Sequence, residues 1–341
     1  MLDYLKTREE IDLDPPPYGA SVLADSIAQG VRLTTLCIKI PRFELAAFNT
    51  HRVFSRNSSS SRAIPVKKRI EMVLADPYIP LEFGKNKSGM QHDEEVADAD
   101  RAEEIWRAAM SAMVDCAKAL QELGLHKQLA NRLLEPWAWQ TIIVTATEWA
   151  NWEALRISEH AQGEIAKAAR NMKAAMDAST PAELGPGQWH LPLAFRGDID
   201  LYRGMFEGAA IAEIDAATIA GALAMVSSGR CARVSYLTHG GERDITADFG
   251  LFSKLLGNGH MSPHEHPASV GEISEGYWAT LDQHGVPSVD LEVPVRLTEA
   301  AGQRWAGDFV GNLRAPWVQL RKTLPNEDVF VSDPPAPPDL P

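Results

Sequence analysis

No run of about 18 apolar residues occurs in this chain of 341 residues, so no membrane-spanning helix is predicted. The opening segment MLDYLKTREEIDLD is charged and lacks the apolar stretch of a signal peptide, which makes the cytoplasm the expected location. Cysteine is scarce. Cys37, Cys116 and Cys231 are scattered and odd in number, so neither a metal spacing nor a disulfide framework follows from them; each reads as a small buried hydrophobe. Also missing are a Gly-x-Gly-x-x-Gly turn, a phosphate-binding Walker loop, a Gly-x-Ser-x-Gly elbow and a cysteine beside a basic motif, so no activated nucleophile is in view. Positive charge is short as well: 33 Lys and Arg stand against 46 Asp and Glu, a net −13. That argues against broad binding to nucleic acid or to anionic membranes, and an anionic ligand would have to meet a local concentration of positive charge.

What is present is ordinary globular material, 45% apolar and 23% charged, with enough length for a sizeable core. One stretch stands out: FNTHRVFSRNSSSSRAIP, residues 48–65, where four serines lie among Arg52, Arg56 and Arg62. Guanidinium forks and serine hydroxyls suit phosphate oxygens, so His51, Arg52, Ser60 and Arg62 form a candidate anion cradle. A solvated polar loop has the same composition, and the residues alone leave both readings open.

Around it, residues 31–48 read as a strand with an edge or bulge at Pro41, and 68–99 as irregular. Residues Ile105, Ala109, Met113, Cys116, Leu120 and Leu123 recur at helical steps, with Gly124 as a stop; Leu129–Leu134 reads as a short helix before Pro136. Residues 141–177 read as one long helix or two end to end, with a boundary at 180–190. AATIAGALAMVSSG reads as helix, RCARVSYLTHGG as strand and turn, DITADFGLFSKLLGNGH as a helix stopped by Gly257, and the tail SDPPAPPDLP as disordered. GHMSPHEH places His260, His264 and His266 close together, but their spacing fits no standard zinc pattern and no metal site is assigned. Ser262 beside Pro263 reads as a helix cap. On the long helix, Arg156, His160 and Glu164 lie four apart, near Asn151 and the flanking Trp149 and Trp152.

Taken together, five stretches resemble the flavin-dependent thymidylate synthases. The family's Arg-His-Arg, seven residues, then Ser is matched by Thr50-His51-Arg52 and Ser60, with Arg62 after it. IKIPRFELAAF resembles the strand leading into that hallmark, ANRLLEP the family's Ala-Arg-x-x-Leu-Pro, and NWEALRISEHAQGEI its Asn-Phe-Leu-x-Leu-Arg and His-Ala-Gln-x-Glu-Ile. CARVSY and GHMSPHEH resemble its Ala-Arg-Val-Ser and Gly-His-x-(Ser/Thr)-Pro-Phe-Glu-His segments. The order differs: the last two normally precede the hallmark and here follow it, at 232–266, as in a circularly rearranged chain.

The resemblance implies an α+β fold, an antiparallel sheet packed with long helices. It implies an N-terminal extension over 1–30, a hallmark and long-helix part over 31–180, a rearranged segment over 181–330 completing the same domain, and a tail over 331–341. It implies conversion of dUMP to dTMP with reduced FAD, methylenetetrahydrofolate and NADPH in a homotetramer. Carried over residue by residue, Ser60, Arg62, Arg132 and Arg156 would bind the pyrimidine deoxynucleotide monophosphate, with Ser60 and Arg156 nearest the chemistry. His51, Arg52, Asn151, Ser235, His260, Ser262 and Glu265 would bind the flavin. Departures at Thr50, Ser58 and Ala47, where the family has Arg, Glu and Gln, put base selection in doubt, and Gln319, Arg321 or Lys322 are candidate replacements. The same scaffold admits two alternatives: a hydroxymethylase of dUMP or dCMP, of a kind suited to virus-encoded relatives, or a non-catalytic nucleotide-binding homologue.

Overall fold

The computed structural model describes residues 2–89, 92, 94–206, 214–241, 244–271 and 309–324. Its centre is a five-stranded sheet in the order β3-β4-β2-β1-β5. The strands are β1 (Ala20–Ala28), β2 (Val31–Pro41), β3 (Ser55–Ser58), β4 (Trp139–Ala146) and β5 (Ala182–Glu183). All neighbours are antiparallel except β1 and β5, which pair in parallel through Ser26 and Ala182. The α+β class and the antiparallel sheet agree with expectation.

Side chains alternate along β2 as the pleat requires. Leu36, Ile38 and Ile40 enter a core with Ile142 and Val144 of β4, closed by Phe48, Phe54 and Trp152. Cys37 points the other way, with Ile143, into a core shared with Phe195, Cys231 and Val234. Helix α6 (Gly163–Asp177) packs Ile165, Ala169 and Met172 on the first face. The second face carries α7 (Arg196–Gly204), α8 (Ala216–Ala232) and α9 (Ile245–Gly257). Asp215 and Asp244 cap the last two by accepting from Thr218 N and Ala247 N. A small sheet in the order β10-β7-β6 joins β6 (Trp189–His190), β7 (Ala268–Val270) and β10 (Trp317–Gln319), the last followed by a single turn, α10 (Leu320–Thr323). A further pair, β8 (Phe309–Val310) and β9 (Leu313–Arg314), completes the described strands.

Several local readings are corrected. The strand expected over 31–48 ends at Pro41 and gives way to short helical turns, including α1 (Leu45–Phe48). Residues 68–99 are not wholly irregular: α2 (Val66–Ala75) occupies the start. The long helix at 141–177 is three elements, β4, α5 (Ala150–Arg156) and α6, so Arg156, His160 and Glu164 share no helix face. TIIVTA is a buried central strand, and an apolar run of that length has no period to set it apart from a helix. CARVSY is the end of α8 and a 3₁₀ turn, Arg233–Tyr236, not a strand. In α3 (Ala99–Glu122) the buried positions are Val114 and Ala117, while Cys116 is exposed, against its reading as a buried hydrophobe. After it come α4 (Lys127–Ala130) and a 3₁₀ stretch, Asn131–Trp137, that contains Pro136. Residues 1–30, read as an extension, contribute β1 to the sheet. The tail 331–341 lies outside the described residues.

Candidate active site around the arginine-fenced loop

The serine stretch is not a linker. Ser59 N donates to Thr141 O and Gln140 Nε2 to Ser59 O (2.9 and 2.6 Å). Asn131 Nδ2 reaches both Ser61 O and Ile64 O at 2.8 Å, and Lys127 Nζ reaches Ala63 O at 2.8 Å. The loop turns on itself through Arg62 N to Ser60 Oγ (3.2 Å). Its backbone donors and acceptors are thus held by fixed partners, which pre-sets the geometry a ligand would meet.

The three arginines have different roles. Arg56 holds the preceding turn: its Nε donates to Asn49 Oδ1 (2.6 Å) and its Nη1 to Phe54 O (2.7 Å). Arg52 and Arg62 are exposed. Buried His51 stacks on Phe54 (5.7 Å between centroids) and meets the edge of Trp152 (4.8 Å). Its Nε2 accepts from Arg156 Nε at 3.1 Å, and Arg156 Nη2 reaches Thr50 Oγ1 at 3.4 Å. Burial, then the neighbouring Arg156 and Arg56, hold the His51 imidazole below its ordinary pKa, so it serves Arg156 as a neutral acceptor.

Glu135 gathers Ser61 Oγ (2.6 Å), Arg132 Nη1 (2.8 Å) and Arg42 Nη2 (3.4 Å) on one oxygen. Glu135, Arg132 and Arg42 border a cavity of about 600 Å³ walled by Phe43, Asn49 and Trp106. Two guanidinium groups beside two aromatic rings suit an anion carrying a flat ring, and a nucleotide monophosphate fits that donor set. Close by, Glu44 is buried with Oε1 unpartnered; burial, then Glu164, raises its pKa to about 7, opposed by Arg156.

The C-terminal motifs converge on the same loop. Ser60 N donates to Ser235 O at 3.0 Å. The 260–266 segment forms a 3₁₀ turn, Ser262–Glu265, in which Ser262 caps nothing and instead accepts from Asn57 Nδ2 at 3.2 Å. Glu265 Oε1 accepts from Arg321 Nη1 (2.5 Å), while Gln319 Nε2 bridges Ser55 Oγ (2.8 Å) and Glu265 O (3.2 Å). Two of the suggested replacements, Gln319 and Arg321, therefore brace the turn against β3. Arg52, Asn151 and His260 are exposed, and among the described residues none is hydrogen-bonded through its side chain to another candidate. No cluster of three metal-ligating side chains occurs among the described residues.

Sequence reasoning missed a row of buried polar groups behind the sheet. Asn57 gives its Nδ2 to Ser262, which turns its Oδ1 toward His266 Nε2 (2.9 Å), so that nitrogen donates. His266 Nδ1 then accepts from the Thr145 hydroxyl (2.8 Å), and Thr145 from Thr35 (2.7 Å). Thr35 accepts from His190 Nε2 (2.8 Å), whose Nδ1 accepts from Ser26 (2.9 Å). Burial pulls both imidazoles down to about 3. The only sequence signal was the β-branched threonines within two strands. Also missed was the buried array in which Arg230 joins Asp198 and Asp248 at 2.7 Å each and Arg233 meets Asp248 at 2.8 Å.

Residues 24–182, just under half of the chain, match the family model described as thymidylate synthase complementing protein. No curated protein matches. Among solved structures, the chain is similar to a UMP/dUMP methylase, PolB, from Streptomyces cacaoi, with 5-Br dUMP (16% identity, TM-score 0.34) and with 5-Br UMP (19%, 0.36). Each match covers 42% of this chain, and 65% and 67% of those chains, so this chain spans just under two thirds of the first.

Proposed function

With residues 24–182 carrying the thymidylate synthase complementing protein pattern, we propose that the chain methylates a pyrimidine deoxynucleotide monophosphate, converting dUMP to dTMP. The observation that supports this most directly is convergence. The 50–62 loop touches the ANRLLEP stretch through Asn131, the CARVSY turn through Ser235, the SPHEH turn through Asn57 and α5 through His51. Segments rearranged in chain order thus meet at one place, as one shared site requires.

In this reading Arg62 and Arg132, with Ser60, receive the monophosphate, and the ring lies near Arg156. Held by His51 and Thr50, Arg156 has a fixed direction and stabilises charge developing on the base. A reduced flavin bound near His51, Arg52, Asn151 and Ser262 would supply the hydride, with methylenetetrahydrofolate as carbon source and NADPH as reductant. Exposed arginines on the loop accord with a site completed by neighbouring subunits of a homotetramer. Incubation of purified protein with FAD, NADPH, methylenetetrahydrofolate and either dUMP or dCMP tests the reading by product mass. dTMP is the expected product. A hydroxymethylated product would move the reading to the hydroxymethylase, and a colourless protein that takes up neither FAD nor nucleotide would overturn it.

A further inference from the structure

A second cavity, about 760 Å³, lies on the other side of the Asn131–Trp137 stretch from the first, between α2, the ends of β2 and β4, the N-terminal segment and the loop after Tyr236. Lys39 and Thr141 share its sheet wall as register partners on the face that carries Cys37, opposite the core behind His51. Its volume is that of a small-molecule pocket.

Arg69 sets the chemistry. This α2 side chain is 2% exposed, lines the cavity, and among the described residues makes no side-chain hydrogen bond or ion pair; its Nε is buried without a partner. A guanidinium taken out of water and left unpaired is costly, and an arginine so placed is poised for an anion. Burial, with Arg42 adding to it and Glu135 opposing, lowers its pKa to about 10, so it remains charged at neutral pH. Two more lining groups are orphaned. Trp137 Nε1 is a buried donor without an acceptor. His239, 8% exposed, gives Nε2–H to Leu13 O (2.8 Å), which leaves Nδ1 as a bare, unpartnered acceptor. Of the acids that line the cavity, Asp14 is paired with Lys39 at 2.7 Å, and Asp12 and Asp76 are exposed; Glu135, outside the lining, acts on Arg69 by its charge but makes no ion pair with it. Met72, Val73 and Leu13 supply an apolar wall.

We propose that this cavity binds a small organic anion with an apolar or aromatic body, Arg69 gripping the anionic group and His239 Nδ1 accepting a hydrogen bond from a hydroxyl or amine on the ligand. The proposal does not rest on the nucleotide reading above, although Arg42 and Glu135, which border the first cavity, act electrostatically on Arg69.

Calorimetry of the full chain with 4-hydroxybenzoate as probe, beside benzoate, dUMP and inorganic phosphate, tests it. One site per chain is expected for 4-hydroxybenzoate, several-fold weaker for benzoate, which lacks the donor for His239. Arg69→Met should weaken 4-hydroxybenzoate at least tenfold. Thr238→Trp, a substitution of an exposed residue at the cavity mouth, should abolish binding without touching the core, and keeps the test decisive if Arg69→Met does not fold. Arg62→Ala should leave this binding unchanged while weakening dUMP. No binding by wild type, binding equal in the Thr238→Trp chain, or loss of the probe in Arg62→Ala would each overturn the proposal.

Discussion

The polar groups behind the sheet and those around the 50–62 loop are built from the same residue types and arranged to opposite ends. Behind it, every donor in the row from Ser26 to Asn57 has one acceptor, and Arg230 lies between two aspartates. Around the loop, Arg52 and Arg62 face solvent, and a single glutamate, Glu135, serves Arg132, Arg42 and Ser61 together. A saturated network fixes a fold; an unsaturated one waits for a ligand. In a chain of net charge −13, guanidinium groups without a full complement of acids are the informative ones.

The contrast is broken most completely by acid. Both buried imidazoles are held near pKa 3 against an ordinary 6.5, so they bind protons only on unfolding. Their stabilisation is whole above pH 6.5 and is lost as pH falls toward 3, and urea midpoints measured across that range should drop steeply. His266→Gln should remove about half of that drop across the whole range. Next in size, Arg230→Met leaves Asp198 buried without its cation and Asp248 with Arg233 alone, a loss of about 3–5 kcal/mol in denaturant unfolding. Arg62→Ala should do the reverse. Stability should stay within about 0.5 kcal/mol, while dUMP affinity by calorimetry falls by about 1.5–3 kcal/mol.

Glu44 sharpens the comparison from within the first face. Its pKa of about 7 lies above the ordinary 4.5, so the fold favours its protonated form. That contribution is full below pH 4.5 and fades as pH rises through 7, opposite in sign to the histidines. Glu44→Gln should remove the fade and raise stability at pH 8 by about 1–2 kcal/mol.

The fold was legible where a local rule decided it. The helical steps from Ile105 to Leu123 do form α3, and Gly124, read as its stop, turns the chain at φ +77° just beyond. The convergence of the motifs was legible: His51, Ser60, Arg156, Ser235 and Ser262 gather around one loop, while Arg52, Asn151 and His260 stand apart from them in solvent. What stayed hidden depends on pairings distant in sequence. The amide of Asn57 meets His266 over 209 positions, and His190 meets Thr35 over 155, and neither leaves a periodic trace. The strand 139–146 was lost for a related reason: buried on both faces, it reads as an unbroken apolar run.

The row from Ser26 to Ser262 also has a polarity. Each hydroxyl or ring offers its one proton in the same sense, so reversing any link would leave two donors or two acceptors facing each other. The links must therefore turn over together or not at all. The carboxamide of Asn57, by presenting oxygen to one neighbour and nitrogen to the other, chooses the sense for the whole line, and an atom in the 50–62 loop thereby dictates how a histidine at the other end of the row carries its hydrogen.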